Sequence, residues 1–110
     1  MKALLKKSAA SEPFTFSFVD DAGRMVVKSE NYAAKKSAQS GIESVRKNCA
    51  EDGRYEMLAA RNGKFYFNLK ASNGQIVATS AMFDTESDRV AAVAMLKSDA
   101  PGAELDDQTG

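Results

Sequence analysis

Hydrophobic and polar positions alternate most sharply between Arg54 and Ser80. Phe65, Phe67 and Leu69 alternate with Tyr66, Asn68 and Lys70, the period of two of a strand with one buried face. Asn62-Gly63 and Asn73-Gly74 flank that strand, and each pair suits the two-residue type I′ turn of a β-hairpin. Such a turn at Asn73-Gly74 sets Leu69 opposite Ala78, Phe67 opposite Ser80 and Ala71 opposite Ile76. The apolar set then stays on one face, and a slip of one residue would turn all of it to solvent.

The pattern occurs twice. Aligning Gly23 with Gly74 gives an offset of 74 − 23 = 51 residues, and Phe14, Phe16, Val26 and Ser29 then fall on Phe65, Phe67, Val77 and Ser80. Tyr32 falls on Phe83, Ile42 on Val93 and Val45 on Leu96, so the likeness runs through strand positions into helical ones. Leu4 falls on Tyr55, which predicts a first strand over Lys2–Lys7. Phe14–Val19 and Arg24–Ser29 form a hairpin across Asp20–Gly23, and Tyr32 turns in towards the core.

Ala38, Ile42, Val45 and Cys49, at spacings of four, three and four, make one apolar stripe and predict a helix over Lys35–Ala50. Gly41 lies beside that stripe at a cost of about 1 kcal/mol relative to alanine, which a close approach of helix to sheet would explain. The second helix starts at a capping box, Thr85 with Asp88, carries Val90, Val93, Ala94, Met95 and Leu96, and stops at Pro101-Gly102. In the tail, Leu105 suits a short strand, but the four acidic residues around it favour fraying.

These elements predict an α+β fold in a single domain of residues 1–110, with repeat one at about 1–53 and repeat two at about 54–110. Both helices cover the apolar face of one antiparallel sheet. Phe14, Phe16, Phe65 and Phe67 are expected inside, Tyr66 and Lys70 outside.

The string GKFYFNLKASNGQIVATS at Gly63–Ser80, with GIESVRKN at Gly41–Asn48, resembles the YegP-like family of small uncharacterised bacterial proteins. The resemblance covers nearly the whole chain. It implies two tandem β-β-β-α repeats sharing one sheet, with the strand after each helix crossing to the other repeat. Arg54–Ala59 is then the first crossing strand. It also implies that relatives with one repeat assemble the same sheet as homodimers. No activity, substrate or catalytic residue comes with the resemblance.

Composition narrows the function classes. Fifteen basic and fifteen acidic residues cancel, without the basic excess usual in nucleic-acid-binding domains. One cysteine, Cys49, excludes an internal disulfide and suits a reducing compartment. The first apolar run, Ala3–Leu5, is far shorter than a signal-peptide core, and no stretch reaches the length of a membrane span. A cytoplasmic location is expected, with no membrane partner.

Candidate chemistry is sparse. The chain has no histidine, the side chain best suited to proton transfer near neutral pH. Cys49 belongs to the buried stripe of the first helix and reads as a small core side chain. Asp20-Asp21 and Asp106-Asp107 lack the spacing of a calcium loop and read as turn and tail solvation. The glycine turns lack the pattern of a phosphate loop. No catalytic residue, metal or cofactor is therefore expected.

The outer sheet face carries Tyr66, Asn68 and Lys70, an aromatic and a cation in the style of platforms that stack single-stranded bases. The matching Thr15, Ser17 and Val19 of repeat one carry neither, so an ordinary solvated face is the simpler reading. The expectation is a monomeric, non-catalytic binding or interaction module whose partner is unassigned, with a protein as the candidate. Weak single-stranded nucleic-acid binding through Tyr66, Asn68 and Lys70 is the alternative, and a small-ligand enzyme ranks last.

Overall fold

The computed structural model describes residues 1–109. Its strands are β1 (Lys2–Lys7), β2 (Phe14–Val19), β3 (Met25–Lys28), β4 (Tyr55–Ala59), β5 (Phe65–Lys70), β6 (Ile76–Ser80) and β7 (Glu104–Asp107). Helices α1 (Lys35–Asn48) and α2 (Glu86–Asp99) follow β3 and β6. One seven-stranded sheet runs in the order β4-β5-β6-β3-β2-β1-β7. The repeats meet where β3 pairs with β6, so a pseudo-twofold axis passes between them.

The sheet departs from the expected wholly antiparallel arrangement at one pair. β7 runs parallel to β1, with Lys2 beside Glu104 and Leu5 beside Asp107. A strand that leaves a helix and joins the far edge arrives by a long crossover, and such connections permit parallel pairing. The expected fraying of the tail is overturned at the same place. The Lys35 ammonium meets the Asp107 carboxylate at 2.7 Å, and Arg46 donates to the Ala103 carbonyl at 2.7 Å. Two cations of α1 thus hold the acidic segment against β1.

The hairpin turns also differ from expectation. Gly23, Gly63 and Gly74 have φ near +80°, but no non-glycine residue among those described has positive φ, which excludes type I′ turns. Each loop has three residues instead, closed by Asp20 with Arg24, Ala60 with Lys64 and Ala71 with Gln75. The asparagine side chains act as caps: Asn62 accepts from the Lys64 amide and Asn73 from the Gln75 amide. The longer loop moves Ile76 opposite Lys70, where Ala71 was expected. A bulge at Val77 then restores Leu69 opposite Ala78. The same loop and bulge recur at Val26 in repeat one, and both valines turn into the core. At β1 the alignment slips by one: Ala3, not Leu4, takes the place of Tyr55, because Ala3 lies opposite Phe18 as Tyr55 lies opposite Leu69. That slip puts Ala3 and Leu5 inside.

Phe16, Phe18, Phe67, Leu5, Leu69, Ile42, Val45 and Leu96 are fully buried in one cluster beneath both helices. Phe14 and Phe65 are only half buried, contrary to expectation. They sit at the sheet end and are covered by cations, Lys7 over Phe14 and Arg89 over Phe65, at 5.6 and 5.3 Å from the ring centres. Ser29 and Ser80 are buried twins. Each hydroxyl accepts a core amide, from Phe16 or Phe67, at 2.9 Å, and donates to the carbonyl of the next residue.

Gly41 is explained by close approach. A Cβ there would stand 2.6 Å from the Phe16 ring and 2.8 Å from the Tyr32 hydroxyl. Phe16 and Tyr32 stack at 6.2 Å, as Phe67 and Phe83 do at 6.4 Å in the second repeat. There Ala92 replaces the glycine and phenylalanine replaces the tyrosine: a methyl stands on one side of the pseudo-twofold and a hydroxyl on the other.

Two outcomes follow for stability. Phe67→Ala should cost about 3–5 kcal/mol in denaturant unfolding, the usual range for emptying a core aromatic site, and a loss below about 1 kcal/mol would contradict its burial. Gly41→Ala should destabilise by about 1–3 kcal/mol despite its helix propensity, because the site is already full. Tyr32→Phe in the Gly41→Ala background should recover part of that loss. Strict additivity of the two changes would show that hydroxyl and methyl do not compete for the same space.

Candidate functional site

The uncovered face of the sheet is built by the strand residues that alternate with the core. Glu56 of β4, Asn68 of β5, Thr79 of β6 and Lys28 of β3 lie in one row across it. Asn68 is 7% exposed, so its amide must find partners. Its nitrogen donates to Glu56 at 3.1 Å, and its oxygen accepts from the Thr79 hydroxyl at 2.8 Å. Lys70 donates to the second Glu56 oxygen at 3.2 Å. The Asn68 and Lys70 bonds hold the Glu56 carboxyl below the usual carboxylate range.

Of the three residues singled out by sequence, two therefore belong to a closed network and the third stands beside it. Tyr66 lies opposite Leu58 and is half buried, as is Lys70; both were expected to be exposed. The long side chains lie down on their neighbours rather than standing in water. Sequence reading missed Glu56, the centre of the network. Its alternation with Tyr55 and Met57 was the available signal, and the β4–β5 register that brings it beside Asn68 supplied the rest.

The other candidates have structural partners. Cys49 is fully buried, its thiol donates to the Arg46 carbonyl, and burial pushes its pKa up. A buried, protonated thiol is a poor nucleophile. The Tyr55 hydroxyl donates to the Cys49 carbonyl at 2.6 Å, and burial raises its pKa as well. Asp20 accepts from the Arg24 and Ala22 amides and caps its own turn, and these bonds, Arg24 first, lower its pKa. Asp107 is held well below the usual carboxylate range, first by Lys35 and then by Thr109. Among the described residues no three of His, Cys, Asp and Glu stand together as a metal set. A hollow of about 530 Å³ beside α2 is open and lined by Met25, Met82, Met95, Asp84 and Asp88 among others. No helix of the described residues is long and apolar enough to cross a membrane.

The architecture so defined is a two-layer α+β protein of two tandem repeats, with both helices on one side of the sheet and the other face bare. The family model for a domain of unknown function, DUF1508, matches residues 9–56 and again 60–107, and the chain belongs to that family. It is 41% identical over 105 residues to the UPF0339 protein YegP of Escherichia coli (strain K12), covering 96% of this chain and 94% of that protein. A UPF0339 protein of Pseudomonas aeruginosa is 43% identical over 103 residues, or 94% of each chain. The solution NMR structure of YegP, described as a protein of unknown function, superposes with a TM-score of 0.91 at 40% identity, covering 99% of this chain and 93% of that one. That of a UPF0339 protein from Shewanella oneidensis also reaches 0.91, at 34% identity, covering 98% and 91%. The family model is that of a domain of unknown function, and the relatives' names state no activity or ligand.

The electrostatics give a pH dependence. Because the folded state lowers the Asp107 pKa, the Lys35 tie is present above the ordinary carboxylate range and is lost as pH falls through the folded value. Amides of β7 should therefore lose hydrogen-exchange protection on acidification below about pH 4, before the core does. Asp107→Asn should show the loosened β7 already at neutral pH. Equal protection of β7 in the variant would show that Lys35 contributes nothing to holding it.

Proposed function

We propose that this protein is a monomeric, non-catalytic interaction module whose partner is another protein. The observation that supports this most directly is the employment of its reactive side chains. Cys49 is in the core, Glu56 is neutralised by Lys70, Asp107 by Lys35, and Asp20 caps a turn. The chain has no histidine, and each of these four groups has a structural task that leaves it poorly placed for acid–base or nucleophilic chemistry. What remains at the surface is contact chemistry: Tyr66, Ile76 and Met25 on the bare face, and Met57 on the helix-covered face at the β4 edge. Exposed methionines adapt to varied partners.

Two repeats already meet across β3 and β6, which supports a monomer. A single buried cysteine and the lack of a membrane-length helix among the described residues suit a cytoplasmic setting. Binding of single-stranded nucleic acid through Tyr66, Asn68 and Lys70 is disfavoured by Glu56, whose carboxylate already holds the lysine a phosphate would need. One free stacking partner contributes only about 1–3 kcal/mol per base.

Photo-cross-linkers placed at Tyr66, Ile76 and Met57, with Lys36 on α1 as control, test this in growing cells. A discrete protein adduct is expected from at least one sheet position and none from Lys36. Adducts to nucleic acid, or no protein adduct from any sheet position, would refute the reading.

A further inference from the structure

The two edges of the sheet are not equivalent. On β1, the Ser8 amide donates to the Pro13 carbonyl and closes the hairpin with β2. Paired and unpaired positions alternate from there, so Ala3, Leu5 and Lys7 turn their backbone groups away from β2. β7 covers them, and the Gln108 amide donates to the Leu5 carbonyl at 2.7 Å. On β4, the Ala60 amide bonds the Lys64 carbonyl and starts the same alternation. Met57 and Ala59 therefore turn both backbone groups outward, and the Tyr55 carbonyl does so too. By register these residues match Leu5, Lys7 and Ala3, yet among the described residues no strand lies beside them.

The helices repeat the asymmetry. The flank of α1 that holds β7 carries Lys35 and Arg46, which bind the Asp107 carboxylate and the Ala103 carbonyl. At the same positions α2 carries Glu86 and Lys97, and Val90 shares their side of the helix. Lys97 lies over the Tyr55 ring at 5.7 Å, and Arg89 reaches the Leu58 carbonyl at 2.9 Å, so two long side chains of α2 reach across to β4. Met57 of β4 is 45% and Val90 of α2 61% exposed. An open edge with apolar side chains is an adhesive feature that proteins ordinarily cover or charge.

We propose that the β4 edge takes up a short extended segment of a partner protein as an eighth strand, parallel to β4 as β7 is to β1. This rests on the interaction-module reading and names its surface. The internal precedent sets the chemistry of the segment. An apolar residue at the place of Leu105 packs against Tyr55 and Met57 under Val90. A basic residue replaces the aspartate at the place of Asp107, because Glu86 stands where α1 has Lys35. Backbone bonds to Met57 and Ala59 supply affinity, and the Glu86 contact supplies the preference.

Two synthetic peptides test this on the full chain by amide chemical-shift mapping. One is the segment Ala103–Thr109; the other is that segment with Asp107→Lys. The charge-reversed peptide should bind the more tightly, with saturable shifts confined to Tyr55–Ala59 and Val90 and slower exchange of the Met57 and Ala59 amides. Met57→Pro removes the outward amide without breaking the β5 ladder, and should abolish the shifts. Glu86→Lys, on an exposed helix position, should reverse the preference between the peptides. No shift at Met57 or Ala59 with either peptide would overturn the proposal, as would shifts confined to Tyr66 and Lys70. A stable dimer mass by light scattering, with protection at Met57 and Ala59, would overturn it in favour of a second copy of this chain. If the peptides fail while cross-linking from Tyr66 still captures a protein, the edge is excluded and the interaction module stands.

Discussion

The structure depends on the pairing of β3 with β6. Each repeat alone is three strands and one helix, too small to bury a sizeable core. Val27 beside Ser80 and Lys28 beside Thr79 join the two halves, with the Ala81 amide donating to the Val26 carbonyl at 3.1 Å. The join merges the inner faces, so that Phe16 and Phe18 from one side and Phe67 and Leu69 from the other share one cluster. It also buries Ser29 and Ser80, whose hydroxyls satisfy the core amides of Phe16 and Phe67. An unsatisfied amide at either place would cost about 1–3 kcal/mol, which explains a polar residue at the same place in both halves.

Around that join the halves have diverged in compensating ways. Gly41 with Tyr32 and Ala92 with Phe83 fill the same volume differently. Ala38, on the buried side of α1, corresponds to Arg89, which lies over Phe65 and reaches the Leu58 carbonyl. At the outer edges the divergence is larger. β1 is covered by an acidic strand held by lysine and arginine, and β4 is bare. The charges of β7 make it a safe edge, since like charges repel strand addition. β4 has no such guard at its inward position, where Met57 stands.

The bare sheet face is less open than its residues suggest. Glu56 gathers Asn68 and Lys70 and, through Asn68, Thr79. A closed polar network of this kind fixes its members' positions and reduces their availability to a ligand. Tyr66 stands outside it, opposite Leu58 and half buried.

Much of the fold was written in local patterns. Alternation at Phe65–Lys70, the spacing of Ala38, Ile42, Val45 and Cys49, the Thr85 cap and the 51-residue echo placed six of the strands and both helices; the tail strand at Leu105 was read as fraying. These are short-range periodicities, and one chain carries them whole. The turn type was not legible, because Asn-Gly serves both a two-residue turn and a three-residue loop closed by a side-chain cap. The one-residue slip at β1 followed from its longer loop, Ala9–Glu12, which repetition alone concealed. The order of β7, its parallel sense and the idle edge of β4 arise from contacts far apart in sequence. Lys35 meets Asp107 and Glu56 meets Asn68 only after the sheet has closed. Such pairings leave no periodic trace, since opposite charges attract at any separation the fold can bridge, and so only the tertiary structure decided which carboxylates were engaged and which edge stayed free.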